Sequence, residues 1–132
     1  MSDLIVKNLS FGNEAKDQVF KGIEKLTKAV SSTLGASGKC VIMEDSSGNP
    51  IITKDGVTVA DSIVLLDPVE NLGATLIKEA ARKTVKEAGD GTTTATVLAE
   101  ALIKQIDTAI ADGLTIREIK DGVNETLDNV IN

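Results

Sequence analysis

The six residues Gly89-Asp90-Gly91-Thr92-Thr93-Thr94 bring together groups that suit phosphate chemistry. Two glycines let the backbone approach a ligand closely, and successive N–H groups at a helix N-terminus form an anion site aided by the helix dipole. Three threonine hydroxyls add donors for phosphate oxygens. Asp90 would repel a bare phosphate, so its place beside such a nest makes sense if a divalent cation bridges the two. Phosphate plus Mg²⁺ is therefore one reading. The other is a helix-helix turn in which Gly89 is the C-cap and a threonine the N-cap, although three adjacent threonines exceed what one cap can use.

Two other turns carry related chemistry. Thr33-Leu34-Gly35-Ala36-Ser37-Gly38-Lys39 could wrap phosphate with backbone donors, or could be a Schellman-type helix stop. It is not a P-loop, because its Gly-x-x-Gly-Lys spacing is too short. Thr53-Lys54-Asp55-Gly56 places a cation and a carboxylate on a sharp turn, and Asp-Gly is a common turn pair in its own right. If this turn faces the threonines, Lys54 could neutralise phosphate charge, and Asp55 could orient an attacking water or support the metal.

The inventory excludes much else. With no histidine and one cysteine, zinc sites, Ser-His-Asp triads and Cys-His pairs are ruled out. Chemistry must use Asp, Glu, Lys, Thr, backbone groups or a bound hard cation. A formal charge of −6 and two aromatics, Phe11 and Phe20, disfavour nucleic acid as the main partner. The apolar runs, such as Ser62 to Leu66, are far too short to span a membrane, and Met1-Ser2-Asp3-Leu4 does not open a signal peptide. Cytoplasmic localisation follows as an expectation. Cys40 fits a reducing compartment and is expected to pack as a small apolar residue. A length of 132 residues, 42% hydrophobic and 26% charged, fits one folded domain.

The elements that must position these turns are mostly helical. From Asn13 to Leu34 the residues Ala15, Val19, Ile23, Leu26, Val30 and Leu34 form one stripe, with Asn13 as N-cap and Gly35 as stop. Cys40–Met43 and Pro50–Thr53, separated by Asp45-Ser46-Ser47-Gly48-Asn49, read as a β-hairpin that Lys54-Asp55-Gly56 closes with a tight turn. The state of Val57 to Ile63 stays open. Asp67-Pro68-Val69-Glu70 is a strong helix start, and Leu72, Leu76, Ala80 and Val85 carry that helix's stripe to Ala88-Gly89. A third helix runs from Thr92–Thr94 through Val97, Leu98, Leu102, Ile106 and Ile110 to Gly113. A fourth begins at the capping box Thr115-Ile116-Arg117-Glu118 and carries Ile119, Val123, Leu127 and Val130. It reaches Asn132 without a stop signal, which is the expectation for a segment of a longer domain.

Taken together, Phe11-Gly12-Asn13, Thr33-Leu34-Gly35, Ile52-Thr53-Lys54-Asp55-Gly56-Val57, Glu70-Asn71-Leu72-Gly73-Ala74 and Ala88 to Leu98 closely resemble the N-terminal part of a group I chaperonin of the GroEL family. The likeness covers almost the whole chain. It implies a mainly α fold, a helical bundle with a small β-hairpin, corresponding to an incomplete chaperonin equatorial domain. Residues 1–132 would be the N-terminal segment of that ATP-binding domain, with the apical and intermediate domains absent.

By that resemblance, Thr33, Leu34, Gly35 and Ala36 are the loop at the nucleotide base and phosphates. Lys54 reaches the phosphates, Asp90 ligates Mg²⁺, and Gly91, Thr92, Thr93 and Thr94 cradle the phosphates. Asp55 matches a family aspartate near the γ-phosphate that supports hydrolysis. The cofactors implied are ATP and Mg²⁺. One local departure is Ala36-Ser37 where the family has proline and lysine, which predicts a looser loop.

The implied function is ATP-driven assistance to protein folding in a ring assembly. Its partners would be further copies of the chain or other chaperonin subunits, with unfolded clients and a co-chaperonin if the rest of the chain exists. Turnover by this chain alone is not expected, since the family's intermediate-domain aspartate lies outside it. The competing expectation is a non-catalytic interaction module that oligomerises, or binds intact chaperonin subunits, through apolar faces left uncovered.

Overall fold

A computed structural model describes residues 12–35 and 38–132. Phe11, Ala36 and Ser37 lie outside the described residues. The elements are α1 (Gly12–Ser31), β1 (Val41–Glu44), β2 (Pro50–Thr53), α2 (Gly56–Ser62), α3 (Pro68–Ala88), α4 (Thr92–Ala111) and α5 (Ile116–Ile131). Two compact units divide the chain, Met1–Glu100 and Ala101–Asn132. The fold is mainly α with one two-stranded antiparallel hairpin, as expected.

The first unit is built around the stripe of α1. Ile23, Leu26 and Val30 are buried with Val59 and Ala60 of α2 and Ala74, Ile77 and Ala81 of α3. Helix α1 starts at Gly12, so Asn13 lies inside the first turn instead of capping it. It also stops before Leu34. The N–H groups of Thr33 and Leu34 bond three residues back, to the Val30 and Ser31 carbonyls, and Gly35 adopts φ +81. That tightened last turn turns the chain out of the helix.

Segment Val57 to Ile63, undecided from sequence, is mostly the short helix α2. Lys54-Asp55-Gly56 is accordingly not a closing turn: Asp55 is the N-cap of α2, its carboxylate accepting from the Val57 and Thr58 N–H groups. Among the described residues, five helices result where four are expected. A seven-residue helix with three β-branched or hydroxyl residues in its first turns has little stability alone. It forms because Val59 and Ala60 are buried against α1 and because α3 grips its end. Lys78 Nζ donates to the Ile63 carbonyl, and Arg82 lies 2.7 Å from Asp61.

Helix α3 starts as predicted, with Asp67 accepting from the Val69 and Glu70 N–H groups. Glu70 does not close a capping box. It pairs with Lys25 of α1 at 2.5 Å. The buried face of α3 is Gly73, Ala74, Ile77 and Ala81, whereas Leu72 and Leu76 of the predicted stripe are each 54% exposed. Small residues win that face because α1 and α3 approach closely: a Cβ on Gly22 would overlap the Glu70 carbonyl, and one on Gly73 the Val19 carbonyl.

The hairpin pairs Val41 with Thr53 and Ile42 with Ile52. Asp45 accepts from the Asn49 N–H, the Asn49 side-chain amide and the Ser47 N–H, and these bonds, in that order, hold its carboxyl below the usual carboxylate range. Cys40, just before β1, is exposed, contrary to the expected apolar packing.

In the second unit, α5 begins at the predicted capping box. Thr115 Oγ1 accepts from the Glu118 N–H and Glu118 Oε2 from the Thr115 N–H. The Thr115 N–H, and then the Thr115 hydroxyl, which also donates to Oε2, hold the Glu118 carboxyl below its ordinary range. Ile119 and Val123 are half-buried, while Leu127 and Val130 are exposed. Among the described residues no helix is long and apolar enough to cross a membrane.

Candidate functional site

Three bends, far apart in the chain, meet in one cleft of about 280 Å³. The end of α1 contributes Thr33, Leu34 and Gly35, the β2–α2 junction contributes Lys54, Asp55 and Gly56, and the α3–α4 junction contributes Asp90 to Thr94. The residues assigned to the nucleotide by resemblance, Thr33 to Gly35, Lys54, Asp55 and Asp90 to Thr94, line this cleft; Gly38, Lys39, Thr53 and Gly89 of the same turns are not among its lining residues, and Ala36 and Ser37 lie outside the described residues. The packing of α1 on α3, with α2 against α1, is what brings the three bends together.

Each bend is shaped by a different device. Thr33 donates its hydroxyl to the Val30 carbonyl at 2.7 Å, tying it to the last turn of α1. Asp55 Oδ1 accepts from the Val57 N–H at 3.3 Å, and Oδ2 from the Thr58 N–H at 3.2 Å and the Thr58 hydroxyl at 2.6 Å. The Thr58 hydroxyl above all holds the Asp55 carboxyl below the usual carboxylate range; burial opposes it, and the Thr58 and Val57 N–H groups add smaller contributions in the same direction as the hydroxyl. A carboxylate carries about four lone-pair sites, so capping leaves it acceptor capacity toward the cleft.

Asp90 is exposed between two glycines of positive φ, Gly89 at +80 and Gly91 at +95, and its Oδ1 accepts from the Gly91 N–H at 2.6 Å. Gly89 is the C-cap of α3, as expected. No threonine is the N-cap of α4: the helix opens at Thr92, and the carbonyl of Gly91 accepts its first bond, from the Ala95 N–H. Among the described residues no side chain caps the N–H groups of Thr92, Thr93 and Thr94, so this helix start keeps free donors beside the cleft. The three threonines differ: Thr92 is buried, Thr93 half-buried and Thr94 exposed.

A second depression, of about 210 Å³, lies between α2 and α3 and shares Val57 and Thr92 with the cleft. Its walls are mainly apolar, and burial there pushes the Lys78 ammonium down from its usual range. Because Lys78 and Arg82 are engaged with the end of α2, this region supports the cleft from behind.

The donor set suits a hard anion held with a hard cation. Free helix N–H groups, hydroxyls and Lys54 are groups of the kind that binds an anion; Asp90 and Asp55 are of the kind that binds a cation. Among the described residues no three His, Cys, Asp or Glu side chains group as a complete metal cage. One or two carboxylates completed by ligand oxygens and water is the way Mg²⁺ is commonly held at phosphates. Sequence reasoning missed Gly56. Its signal was a glycine directly after a capping aspartate, hidden by reading the pair as a turn.

A sequence model of the TCP-1/cpn60 chaperonin family matches residues 26–132. Among solved structures, the chain is similar to the chaperonin gp146 of bacteriophage EL (Pseudomonas aeruginosa), crystallised in the presence of ATP-BeFx. In one crystal form the identity is 40% over 69% of this chain, with a TM-score of 0.63. In the other it is 35% over 83%, with a TM-score of 0.70. A group III chaperonin in the open state is 31% identical over 88% of this chain, with a TM-score of 0.71. The chain spans 16%, 20% and 23% of those three chains.

Proposed function

The chain belongs to the TCP-1/cpn60 chaperonin family, and from that premise we propose that it is the N-terminal segment of an equatorial domain whose cleft binds Mg²⁺-ATP. The observation that carries the reading is the meeting of Thr33, Lys54, Asp55 and Asp90 to Thr94 in one cleft. Free N–H groups at the start of α4 and the Thr93 and Thr94 hydroxyls bind phosphate oxygens, and Lys54 offsets their charge. Asp90 holds the metal. Bound Mg²⁺ would neutralise phosphate charge and orient the phosphoryl group. Asp55, kept ionised by its capping bonds, orients water at the terminal phosphate. The crystallisation of gp146 with an ATP analogue supports the same assignment.

Within the family, the five motifs favour group I. The wider role follows as part of the proposal: a cytoplasmic ring of like subunits that couples ATP hydrolysis to the folding of client proteins. Isothermal titration of this chain with ATP, with and without Mg²⁺, tests the reading. Binding that needs Mg²⁺ and weakens at least about tenfold in Asp90→Ala is expected; a parent chain indifferent to ATP overturns it.

A second reading rests on a different observation. Val64, Leu66, Ile116 and Val130 are each more than three-quarters exposed, and Leu66 is fully so. Such surfaces associate. As an interaction module the chain would pair with chaperonin subunits without nucleotide. A monomer by light scattering that binds no hydrophobic dye would reject that reading.

A further inference from the structure

Gly56 is buried at the first position of α2, and its φ is not in the left-handed region. Backbone conformation therefore does not require glycine there, and helix propensity favours alanine. Space requires it. A Cβ on Gly56 would overlap Thr93 Oγ1 and stand 3.4 Å from Thr33 Oγ1. Those two hydroxyls are 3.5 Å apart. The Thr33 proton is given to the Val30 carbonyl at 2.7 Å, and the contact between the two threonines is longer than an ordinary O–H···O bond, so the Thr93 proton stays available for a phosphate oxygen. The Thr93 hydroxyl is thus confined by α2 on one side and by the end of α1 on the other.

We propose that Gly56 is a positioning residue of the phosphate site: its missing side chain lets α2 close on Thr93, keep the Thr93 hydroxyl beside Thr33, and so fix where that hydroxyl stands in the cleft. The proposal deepens, and rests on, the reading of the cleft as a nucleotide site. It differs in kind from the role of Gly22 and Gly73, where an added Cβ meets backbone. At Gly56 the obstacle is the tip of one short side chain, and the Cβ of Thr93 is at an ordinary contact distance of 3.5 Å. Alanine at this position turns Thr93 away from Thr33 and leaves the helices where they are.

The test compares the parent, Gly56→Ala, Thr93→Ala and the double variant. Circular dichroism reports folding, NMR reports the Thr33 and Thr93 resonances without nucleotide, and titration reports Mg²⁺-ATP affinity. Gly56→Ala is expected to keep the helix content, shift both threonine resonances and weaken binding by roughly tenfold, the scale of one misplaced hydrogen bond to a charged group. In the Thr93→Ala background the same change should cost less than about twofold, because no hydroxyl is left to displace. Unmoved Thr33 and Thr93 resonances, or losses that simply multiply, would overturn the proposal. If Gly56→Ala fails to fold, recovery of folding in the double variant supports it and continued failure overturns it. A parent that binds no ATP sinks the nucleotide reading, while the NMR comparison still decides whether Gly56 sets Thr93.

Discussion

Gly73 of α3 rests on the main chain of Val19 in α1, so closely that a Cβ there would overlap the Val19 carbonyl oxygen and lie 3.0 Å from its carbon. Gly22 meets Glu70 in the same way from the opposite helix. Backbone cannot rotate aside as a side chain can. Alanine at either position should therefore push the two helices apart and lower stability by about 3 kcal/mol, the upper part of the range for overpacking. Urea denaturation followed by circular dichroism checks this, and a midpoint equal to the parent's would show that the helices do not cross there.

Adjacent residues of α3 provide a second test. Ile77 is 1% exposed and Leu76 54%. Ile77→Ala should cost about 2 to 5 kcal/mol, and Leu76→Ala within about 0.5 kcal/mol, for the isolated chain. Equal losses at the two positions would restore the leucine stripe as the core face.

That contrast also shows what the sequence can say about this fold. Helix α1 is apolar on one face only, so Ile23, Leu26 and Val30 were legible as core. Helix α3 is apolar on two faces, and periodicity favours the one with the larger residues. Which face is buried was decided by how close α1 comes, a property of Gly22 and Gly73 together that neither helix carries alone. The site was legible as three chemically suggestive bends, because glycine, aspartate and threonine signal turns and anion sites locally. Its supports were not. Asp55 as a helix cap depends on α2, which exists through tertiary burial of Val59 and Ala60 and through Lys78 and Arg82 gripping its far end.

Thr27 faces the core of the first unit at 4% exposure, and its hydroxyl has no hydrogen-bond partner among the described residues. A buried hydroxyl left unpaired costs free energy that a methyl of the same shape does not. Thr27→Val is accordingly expected to leave the helix content unchanged and to raise stability by about 1 kcal/mol. A clear loss on chemical denaturation would mean that the hydroxyl is satisfied in solution.

The cap of α2 makes a prediction in pH. The Thr58 hydroxyl and the Val57 and Thr58 N–H groups all favour the ionised form of Asp55, so its carboxyl titrates lower in the folded chain than in the unfolded one. Between the two values the unfolded chain binds more protons, and stability falls as pH falls. The contribution is complete above the ordinary aspartate value of 3.8 and is lost as acid reaches the folded value. Asp45 and Glu118 are shifted in the same direction, so the parent's acid sensitivity is shared. The informative quantity is the difference between the parent and Asp55→Asn, whose amide oxygen still caps but does not titrate. That difference should shrink from pH 7 to pH 3 in denaturation experiments, whereas Asp55→Ala, which loses the cap outright, should cost about 1 kcal/mol at pH 7. A parent and Asp55→Asn that run parallel through the whole range would show that the carboxylate is not engaged at the start of α2, and the orientation assigned to it in the cleft would fall with it.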